Sequence, residues 1–504
     1  MSPTMEKTSP TTDTSSSSNN DDHAGDNNNA KLAPENIQQQ ALAVLNDSPE
    51  SRARERAYMR KLDCIILPTI SALYFFEYID RGNIANAKLL GISEGHDTAK
   101  NGVGPGTESL NSTQWQTVVM IFYVGLVLFQ VPGCLGYRVF PPSKTATFNL
   151  AGLLVCRIML GVFEGLFGTG IVYYLSLWYR RDELGMRVFW FLGPTAVAGA
   201  FGGLISYGVG HINSHVQNWQ LLFIIEGIPG FLLGAFCLYW LPDRPLKNSR
   251  FTEEQSEVAI ARYRRDAYDR AGKIQKKHVI WTLTDWKLTN IAAIYIPTAA
   301  LLSSISGFLP TLVQNLGYKT SASANLMTVP PYACAFALMY ITSYTSDRFR
   351  DRGWHIVTLS VVAAVAYVCL ATLGEDKLHA KYGMMCVAVA CVYSTYPPTH
   401  AWTANNFGNE TKRAIGMGIY TSIGNLGSIA GSFFFPSTQG PQFRQGHWVC
   451  FAMSVATAFI SLVNHLLLAR ANRKRDEKYG KPDKDIVIDV SEEADRNVMF
   501  RFIT

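Results

Sequence analysis

Charged residues are scarce in this chain, and their scarcity limits the kind of protein it can be. Only 17% of the 504 residues are charged and 48% are apolar, whereas soluble proteins carry about 25% charged residues. Outside two polar ends and one polar central block, the chain consists of repeated apolar runs. A helix of about 20 residues crosses the ~30 Å hydrocarbon core of a bilayer. The composition therefore excludes an ordinary soluble fold and predicts an all-α polytopic membrane protein.

Further absences exclude other classes of protein. The nine cysteines include no C-x-x-C pair, so we expect neither a disulfide framework nor a cysteine metal site. The apolar runs contain no cluster of histidines and no nucleophile beside a base, so we predict no enzyme activity, no cofactor and no metal. The net charge of +6 comes from basic residues spread over short loops. That distribution is typical of membrane topology and excludes nucleic acid as a partner.

The basic residues predict which ends of the spans face the cytoplasm. The first span begins near Leu62 directly after a basic stretch, and residues 470–478 at the other end are also basic. Because Lys and Arg accumulate on the cytoplasmic side, both termini and the basic central loop at 242–288 are expected there. Residues 1–57 are predicted to be a disordered tail and residues 471–504 a second cytoplasmic tail. No cleavable signal segment is expected before Leu62.

The spans divide into two unequal halves. Residues 289–470 contain six apolar runs, whereas residues 58–241 contain five, and five crossings cannot join two cytoplasmic ends. The gap falls between Leu135 and Leu150, where the chain is polar. We therefore predict about eleven recognisable spans, with the third span of a twelve-span plan missing. Asn111 lies in an Asn-Ser-Thr sequon before the second span and is predicted to carry a glycan on the external side.

Two six-span halves joined by a long basic loop resemble the major facilitator superfamily. The stretch Ser343-x-x-x-Asp347-Arg348-x-x-x-Arg352 is similar to the cytoplasmic loop motif of that superfamily. The resemblance implies a fold of two helical bundles. It also implies that Asp347, Arg348 and Arg352 form a conformational latch, because an acid at a helix end and nearby arginines can hold neighbouring helices in one state and release them in another.

Further motifs are similar to those of the fungal allantoate permease-like anion:cation symporters, carriers of allantoate, nicotinate, pantothenate and biotin-like acids. These motifs are Asp80-Arg81-x-Asn83-Ile84-x-Asn86-Ala87, AGLLVCRIMLGVFEG with YYLSLWYRRDE, AGAFGGLISYG, LFIIEGIPG with LPDRP, FLPTLVQNLGY with LMTVPPY, and TKRAIGM with IGNLGSIAGS. Against this family pattern, TATFN stands where a further span is expected. Either the protein lacks that span or the sequence comes from a mis-spliced gene model.

Charges at membrane depth are the candidates for substrate binding and coupling, because they are costly unless they serve a function. Asp80, Arg81 and Asn83 in the first span belong to the family motif, and Asp80 and Arg81 are predicted to act in gating or coupling. Glu77 departs from the uncharged residue expected from the family. It either carries the proton or merely shields Arg81, which lies one helical turn further on.

A second group of charges lies in later spans. Arg157 and Glu164 are seven residues apart and share one helix face. Arg157 is predicted to grip a substrate carboxylate, because a guanidinium can bind it bidentately. The alternative is a structural ion pair of Arg157 with Glu164 or with Glu77. Glu226 is a further acid, either for coupling or as the structural partner of an arginine.

Together these features predict a secondary active transporter that works as a monomer in the plasma membrane. Its partners are expected to be the lipid bilayer, protons and a small organic carboxylate of nicotinate-, allantoate- or pantothenate-like size, taken up along the proton gradient. Two alternatives stay open. One is an exporter of a metabolite with the same fold, because these residues do not reveal the direction of flux. The other is a non-transporting sensor or a defective product that lacks one span.

Overall fold

The structure is a computed structural model that describes residues 48–87, 116–117, 119–127, 153–180, 183–212, 218–242, 250–266, 275–317, 321–374, 377–482, 490 and 492–504. Fifteen α-helices lie within these ranges, and residues 119–127 are helical too. The helices are α1 (Pro49–Ala87), α2 (Leu153–Trp178), α3 (Leu184–Leu192), α4 (Pro194–Val209), α5 (Asn218–Trp240), α6 (Glu253–Asp266), α7 (Lys276–Leu283), α8 (Trp286–Asn315), α9 (Ser321–Leu326), α10 (Val329–Phe349), α11 (Gly353–Thr372), α12 (Leu378–Ser394), α13 (Tyr396–Asn406), α14 (Glu410–Gly431) and α15 (Arg444–Tyr479). The prediction of an all-α protein is confirmed.

Seven helical segments in the described part of the chain are long and apolar enough to cross a membrane. They are Pro49–Ala87, Leu184–Val209, Asn218–Cys237, Trp286–Asn315, Ser323–Phe349, Gly353–Thr372 and Arg444–Tyr479. Helices α2, α12 with α13, and α14 cover three further predicted spans. The polar gap between Leu135 and Leu150 and the sequon at Asn111 lie outside the described residues, so the count of about eleven spans stays a prediction.

Local sequence fixes where several of these helices begin. The side chain of Asp285 accepts a hydrogen bond from the backbone N–H of Lys287 at 3.1 Å at the start of α8. Asn409 does the same for Lys412 at 2.9 Å at the start of α14. Such caps satisfy backbone donors that have no partner within the helix. Pro194 begins α4, because proline suits the first helical turn.

The helices pack into two groups. Helix α1 packs against α4 and α5 in an N-terminal bundle, whereas α8 packs against α14, and α11 against α12 and α15, in a C-terminal bundle. The spacing of Gly427 and Gly431 predicts a close helix approach in the second group. A Cβ atom at either position would collide with the backbone of α8, at Ile296 and Ala300 respectively. The backbones of α8 and α14 are therefore in contact.

The two bundles also touch each other. Helix α4 packs against α9 and α10, and α3 packs against α13. Gly199 of α4 leaves room for the ring of Tyr332 in α10. Nearby, Asn325 Nδ2 donates a hydrogen bond to Ser206 Oγ at 2.8 Å. The two bundles are therefore in direct contact where α4 meets α9 and α10 and where α3 meets α13.

Candidate functional site

A single guanidinium joins two carboxylates inside the N-terminal bundle. Arg81 of α1 donates from Nε to Glu164 Oε2 of α2 at 3.0 Å and also bonds that oxygen through Nη2. Glu77, one turn before Arg81, lies 3.7 Å from Nη2 through Oε1. Glu164 is buried and the other two are largely buried, with exposed side-chain fractions of 3% for Glu164, 10% for Glu77 and 16% for Arg81. We call these three residues the Arg81 cluster.

Aromatic rings surround the arginine of this cluster. The guanidinium lies 5.3 Å from the ring centroid of Tyr78 and 5.3 Å from that of Phe122. A cation over an aromatic face is attracted by the ring quadrupole, and the attraction is stronger where water is excluded. The rings therefore help to hold a positive charge at membrane depth.

Two pairs of tyrosines connect this cluster to the C-terminal bundle. The hydroxyl of Tyr78 lies 2.5 Å from that of Tyr393 in α12, and the hydroxyl of Tyr74 lies 3.3 Å from that of Tyr396 in α13. All four side chains are buried. Because each pair has one member in each bundle, the hydrogen bonds must break if the bundles separate here.

Behind Tyr396 lies a buried group of rings. Tyr396 stacks on Tyr295 at a centroid distance of 6.1 Å and an interplanar angle of 10°. The ring of His400 stands edge-on to Tyr396 at 4.5 Å. Its Nδ1 lies 3.0 Å from the hydroxyl of Tyr420. Flat apolar faces with hydroxyl and imidazole edges suit a small planar ligand.

A second pair of acids lies where α1 meets α5. Glu226 is only 2% exposed, and neither of its carboxylate oxygens has a hydrogen-bond partner among the residues that the structure describes. A Cβ atom at Gly230, one turn beyond Glu226, would lie 3.9 Å from Asp80 Oδ2. Asn83 is fully buried, and its amide has no partner in the described ranges. These groups add buried polar atoms close to the Arg81 cluster along α1.

The predicted latch residues lie at one end of the contact between the bundles. Asp347 Oδ2 at the end of α10 accepts a hydrogen bond of 2.6 Å from the backbone N–H of Met186 at the start of α3. Arg352 forms an ion pair with Asp347 and donates from Nη1 to Ser346 Oγ at 3.0 Å. Arg348 points to the exposed surface. Asp347 and Arg352 are thus together, and Asp347 bonds across the two bundles.

The Major Facilitator Superfamily profile matches residues 117–432, which is more than half of the chain. The chain belongs to the major facilitator superfamily. The family resemblance and the prediction of two helical bundles are thereby confirmed. As members of this superfamily are transporters, the expectation that the chain is not an enzyme is confirmed as well.

Relatives of this major facilitator protein are fungal transporters. It is 32% identical to the MFS transporter prlL of Fungal sp. (strain NRRL 50135), over 86% of this chain and 90% of the relative. It is 26% identical to the high-affinity nicotinic acid transporter of Saccharomyces cerevisiae, over 84% of this chain and 80% of the relative. Among solved structures, the proton:xylose symporter XylE matches 86% of this chain and 98% of its own, with a TM-score of 0.59 at 14% identity, which shows a shared fold.

The structure of this major facilitator protein brings together only some of the predicted site residues. Glu77, Arg81 and Glu164 form one cluster, and Asp80 lies near Glu226. The side chain of Arg157, the predicted anion grip, lies outside the described part, so its role stays a prediction. The alternative considered for Arg157 was a structural ion pair with Glu164 or Glu77. In the structure, the arginine paired with Glu164 is Arg81.

Sequence reasoning missed Tyr396, His400 and Tyr420 of the ring group in the C-terminal bundle. A signal was present, because Tyr393, Tyr396 and His400 recur at intervals of three and four residues around Pro397 and Pro398. Residues so spaced share one helix face. A face of tyrosines and histidine inside a predicted span could have been recognised as a polar lining rather than a lipid-facing surface.

Proposed function

We propose that this transporter carries a small organic carboxylate of nicotinate-, allantoate- or pantothenate-like size into the cell together with protons. The observation that carries the proposal is the Arg81 cluster, in which one largely buried guanidinium is shared by two carboxylates next to a buried group of rings. The relative named as a nicotinic acid transporter supports this substrate class.

Charge balance gives the Arg81 cluster its coupling role. Glu77 and Glu164 carry two negative charges against the one positive charge of Arg81. A net negative charge is costly at membrane depth, so one proton shared by the two carboxylates stabilises the cluster. The empty cluster therefore holds one proton between Glu77 and Glu164.

A bound substrate can replace the ion pair between Arg81 and Glu164. A substrate carboxylate that reaches Arg81 competes with Glu164 for the same donors, because a guanidinium binds carboxylates bidentately. Glu164 then loses its cation and, in a buried site, takes up a further proton that balances the charge of the substrate. Anion and proton are thereby carried together, and neither is moved as an uncompensated charge.

The ring group provides a place for the rest of the substrate. Tyr295, Tyr396 and Tyr420 offer flat faces, and His400 and the tyrosine hydroxyls offer hydrogen-bonding edges. A planar heterocycle or an amide-containing acid satisfies both kinds of group. Specificity is expected to reside in these C-terminal residues and charge recognition in the N-terminal cluster.

Transport requires the bundles to rock about this central site. The bond between Asp347 and Met186 closes one end, and the basic residues near the chain ends and in the central loop favour a cytoplasmic location for that end. We place the transporter in the plasma membrane as a monomer with both termini inside. Asn111 is the proposed glycosylation site outside.

Replacement of Asp347 by asparagine is expected to shift the transporter toward the state that is open at the latch end. It removes a charge-assisted hydrogen bond worth about 1.5–3 kcal/mol, and therefore changes the balance between states by roughly tenfold or more. The rate at which a cysteine at position 186 reacts with a maleimide in the purified protein, after subtraction of the labelling of the same protein without that cysteine, measures the shift.

The matched control for this change is Asp351→Asn on the same loop. Asp351 Oδ1 accepts from the backbone N–H of Trp354 at 2.9 Å, within the C-terminal bundle. Its loss is expected to leave the labelling rate nearly unchanged. Equal effects of the two substitutions would contradict a latch across the bundles.

Uptake assays test the proposed function directly. Cells that lack their own carriers are given this protein and labelled nicotinate, allantoate or pantothenate at pH 5 and pH 7.5, with and without a protonophore. We expect accumulation of at least one acid that is faster at pH 5 and is abolished by the protonophore. Absence of uptake for every acid would sink the proposal, and faster efflux from preloaded cells would favour the exporter.

A further inference from the structure

Residues 492–504 pack against the latch end of the C-terminal bundle, and we call them the C-terminal clasp. Asn406 of α13 donates to the carbonyl of Ile503 and accepts from its N–H, both at 2.9 Å. Asn472 of α15 makes the same two-way pairing with Phe502 at 2.8 and 2.9 Å. Trp402 Nε1 also donates to the Ile503 carbonyl at 2.8 Å. The clasp backbone is thus recognised in a defined register.

An ionic anchor holds the beginning of the clasp. Asp495 forms ion pairs with Lys287 of α8 and, at 2.7 Å, with Lys412 of α14. Asp285 completes the group at 2.8 Å from Lys412 Nζ. Lys412 is fully buried, and a buried charge persists only with such partners.

The anchor is expected to be stable throughout the physiological pH range. Burial alone would raise the pKa of Asp495, but the ammonium groups of Lys287 and Lys412 outweigh burial and lower that pKa to about 2. The contribution of Asp495 to stability is therefore present above its unfolded pKa of about 3.9 and is lost only as the pH falls toward 2. Any change of uptake between pH 5 and 8 must come from other groups.

The far end of the clasp reaches the latch itself. A main-chain oxygen of Thr504 accepts hydrogen bonds from the backbone N–H groups of Arg352 at 2.6 Å and Gly353 at 3.4 Å. Arg352 in turn pairs with Asp347, and Asp347 accepts from Met186 in the other bundle. One continuous chain of contacts therefore runs from the clasp to the N-terminal bundle.

We propose that the C-terminal clasp is a positioning element for the latch: it holds the Arg352 backbone so that Asp347 can bond across the bundles, and thereby favours the state closed at this end. The proposal rests on the latch role given to Asp347 above. It does not depend on the identity of the substrate or on proton coupling.

The clasp packs closely against Gly408, and this allows it to be displaced without removing any of its polar contacts. Gly408 lies so close to the clasp that a Cβ atom there would collide with the backbone at Ala494 and Asp495. Gly408→Ala is therefore expected to push the clasp outward while the Arg352–Asp347 pair stays chemically intact. Asn406→Asp is a second variant: it keeps the acceptor for the Ile503 N–H, replaces the amide donor by a carboxylate oxygen, and leaves the bonds from Trp402 and Asn472 to the clasp in place.

Labelling of a reporter cysteine tests the proposal in the purified full-length protein. Ser176 is buried at the latch end, where its carbonyl accepts from Arg413 Nη1 of the other bundle at 3.2 Å. Protein with Ser176→Cys is reacted with a maleimide, and labelling of the same protein without this substitution is subtracted. We expect Gly408→Ala to raise the labelling rate about fivefold or more, the scale of a typical coupling between sites, and Asn406→Asp to raise it less.

The control is Glu492→Gln. Glu492 lies in the clasp but pairs with Lys277 at the exposed surface at 3.1 Å, and exposed ion pairs contribute little. Its labelling rate is expected to match that of the parent protein. A purely structural clasp would lower the yield of Gly408→Ala and Asn406→Asp but leave the labelling rate per folded molecule unchanged, and that result overturns the proposal.

Discussion

Replacement of Arg81 by glutamine is expected to abolish carboxylate uptake while part of the protein still reaches the membrane. The substitution removes the only cation seen between Glu77 and Glu164 in the described structure, and breaking a buried ion pair costs about 3–5 kcal/mol. That cost corresponds to roughly a hundredfold to several-thousandfold loss in any step that needs the pairing. Initial uptake rates, divided by the amount of transporter at the cell surface, measure the effect.

A double substitution separates folding from function at this position. Arg81→Gln together with Glu164→Gln removes one charge of each sign, so surface expression is expected to recover while uptake stays abolished. Arg444→Gln removes an exposed positive charge at the start of α15 and is expected to leave uptake nearly unchanged. Normal uptake in Arg81→Gln would exclude Arg81 from anion binding and return that role to Arg157.

Replacement of Glu164 by glutamine is expected to uncouple transport from the proton gradient. Glutamine resembles the protonated acid in shape and can no longer exchange a proton, so accumulation at pH 5 should fall at least about tenfold, the scale of one lost coupling. Exchange of labelled for unlabelled substrate across the membrane needs no net proton movement and is expected to continue. Accumulation and exchange, each measured from pH 5 to pH 7.5, distinguish the two processes.

The same assay assigns the roles of the other acids. Glu77→Gln is expected to weaken the pH dependence, because the proton is shared by both carboxylates of the Arg81 cluster. The control is Asp63→Asn, which breaks an ion pair with Arg187 at 3.3 Å. Both side chains of that pair are partly exposed and neither belongs to the Arg81 cluster, so this variant is expected to keep normal coupling. If Glu226→Gln abolishes coupling and Glu164→Gln does not, the proton is carried where Asp80 meets Glu226.

Much of the architecture could be predicted from the chain because membrane insertion depends on local sequence. Apolar length decides which segments become helices. The spacing of Gly427 and Gly431 predicted a close helix approach, and the structure shows it between α14 and α8. The motif from Ser343 to Arg352 similarly predicted that Asp347 and Arg352 lie together. Each of these features is set within one helix or one loop, so a single sequence contains enough information to anticipate it.

The candidate site was less predictable, since its partners come from distant segments. The sequence indicated that Arg81, Arg157, Glu77 and Glu164 are buried charges, but it left open which arginine faces which acid. Only helix packing decides that Arg81 of α1 meets Glu164 of α2. The tyrosine pairs that join α1 to α12 and α13 likewise depend on how two bundles meet.

By itself, then, the sequence determined the helical membrane fold, the superfamily and the buried charges of the first spans, because burial in lipid is a property of each segment alone. Tertiary structure decided the pairing of those charges, the ring group behind Tyr396 and the return of residues 492–504 to the latch. The physical reason is that ion pairs and hydrogen bonds act over a few ångströms. They are fixed only when the rotation and register of each helix are set by its neighbours.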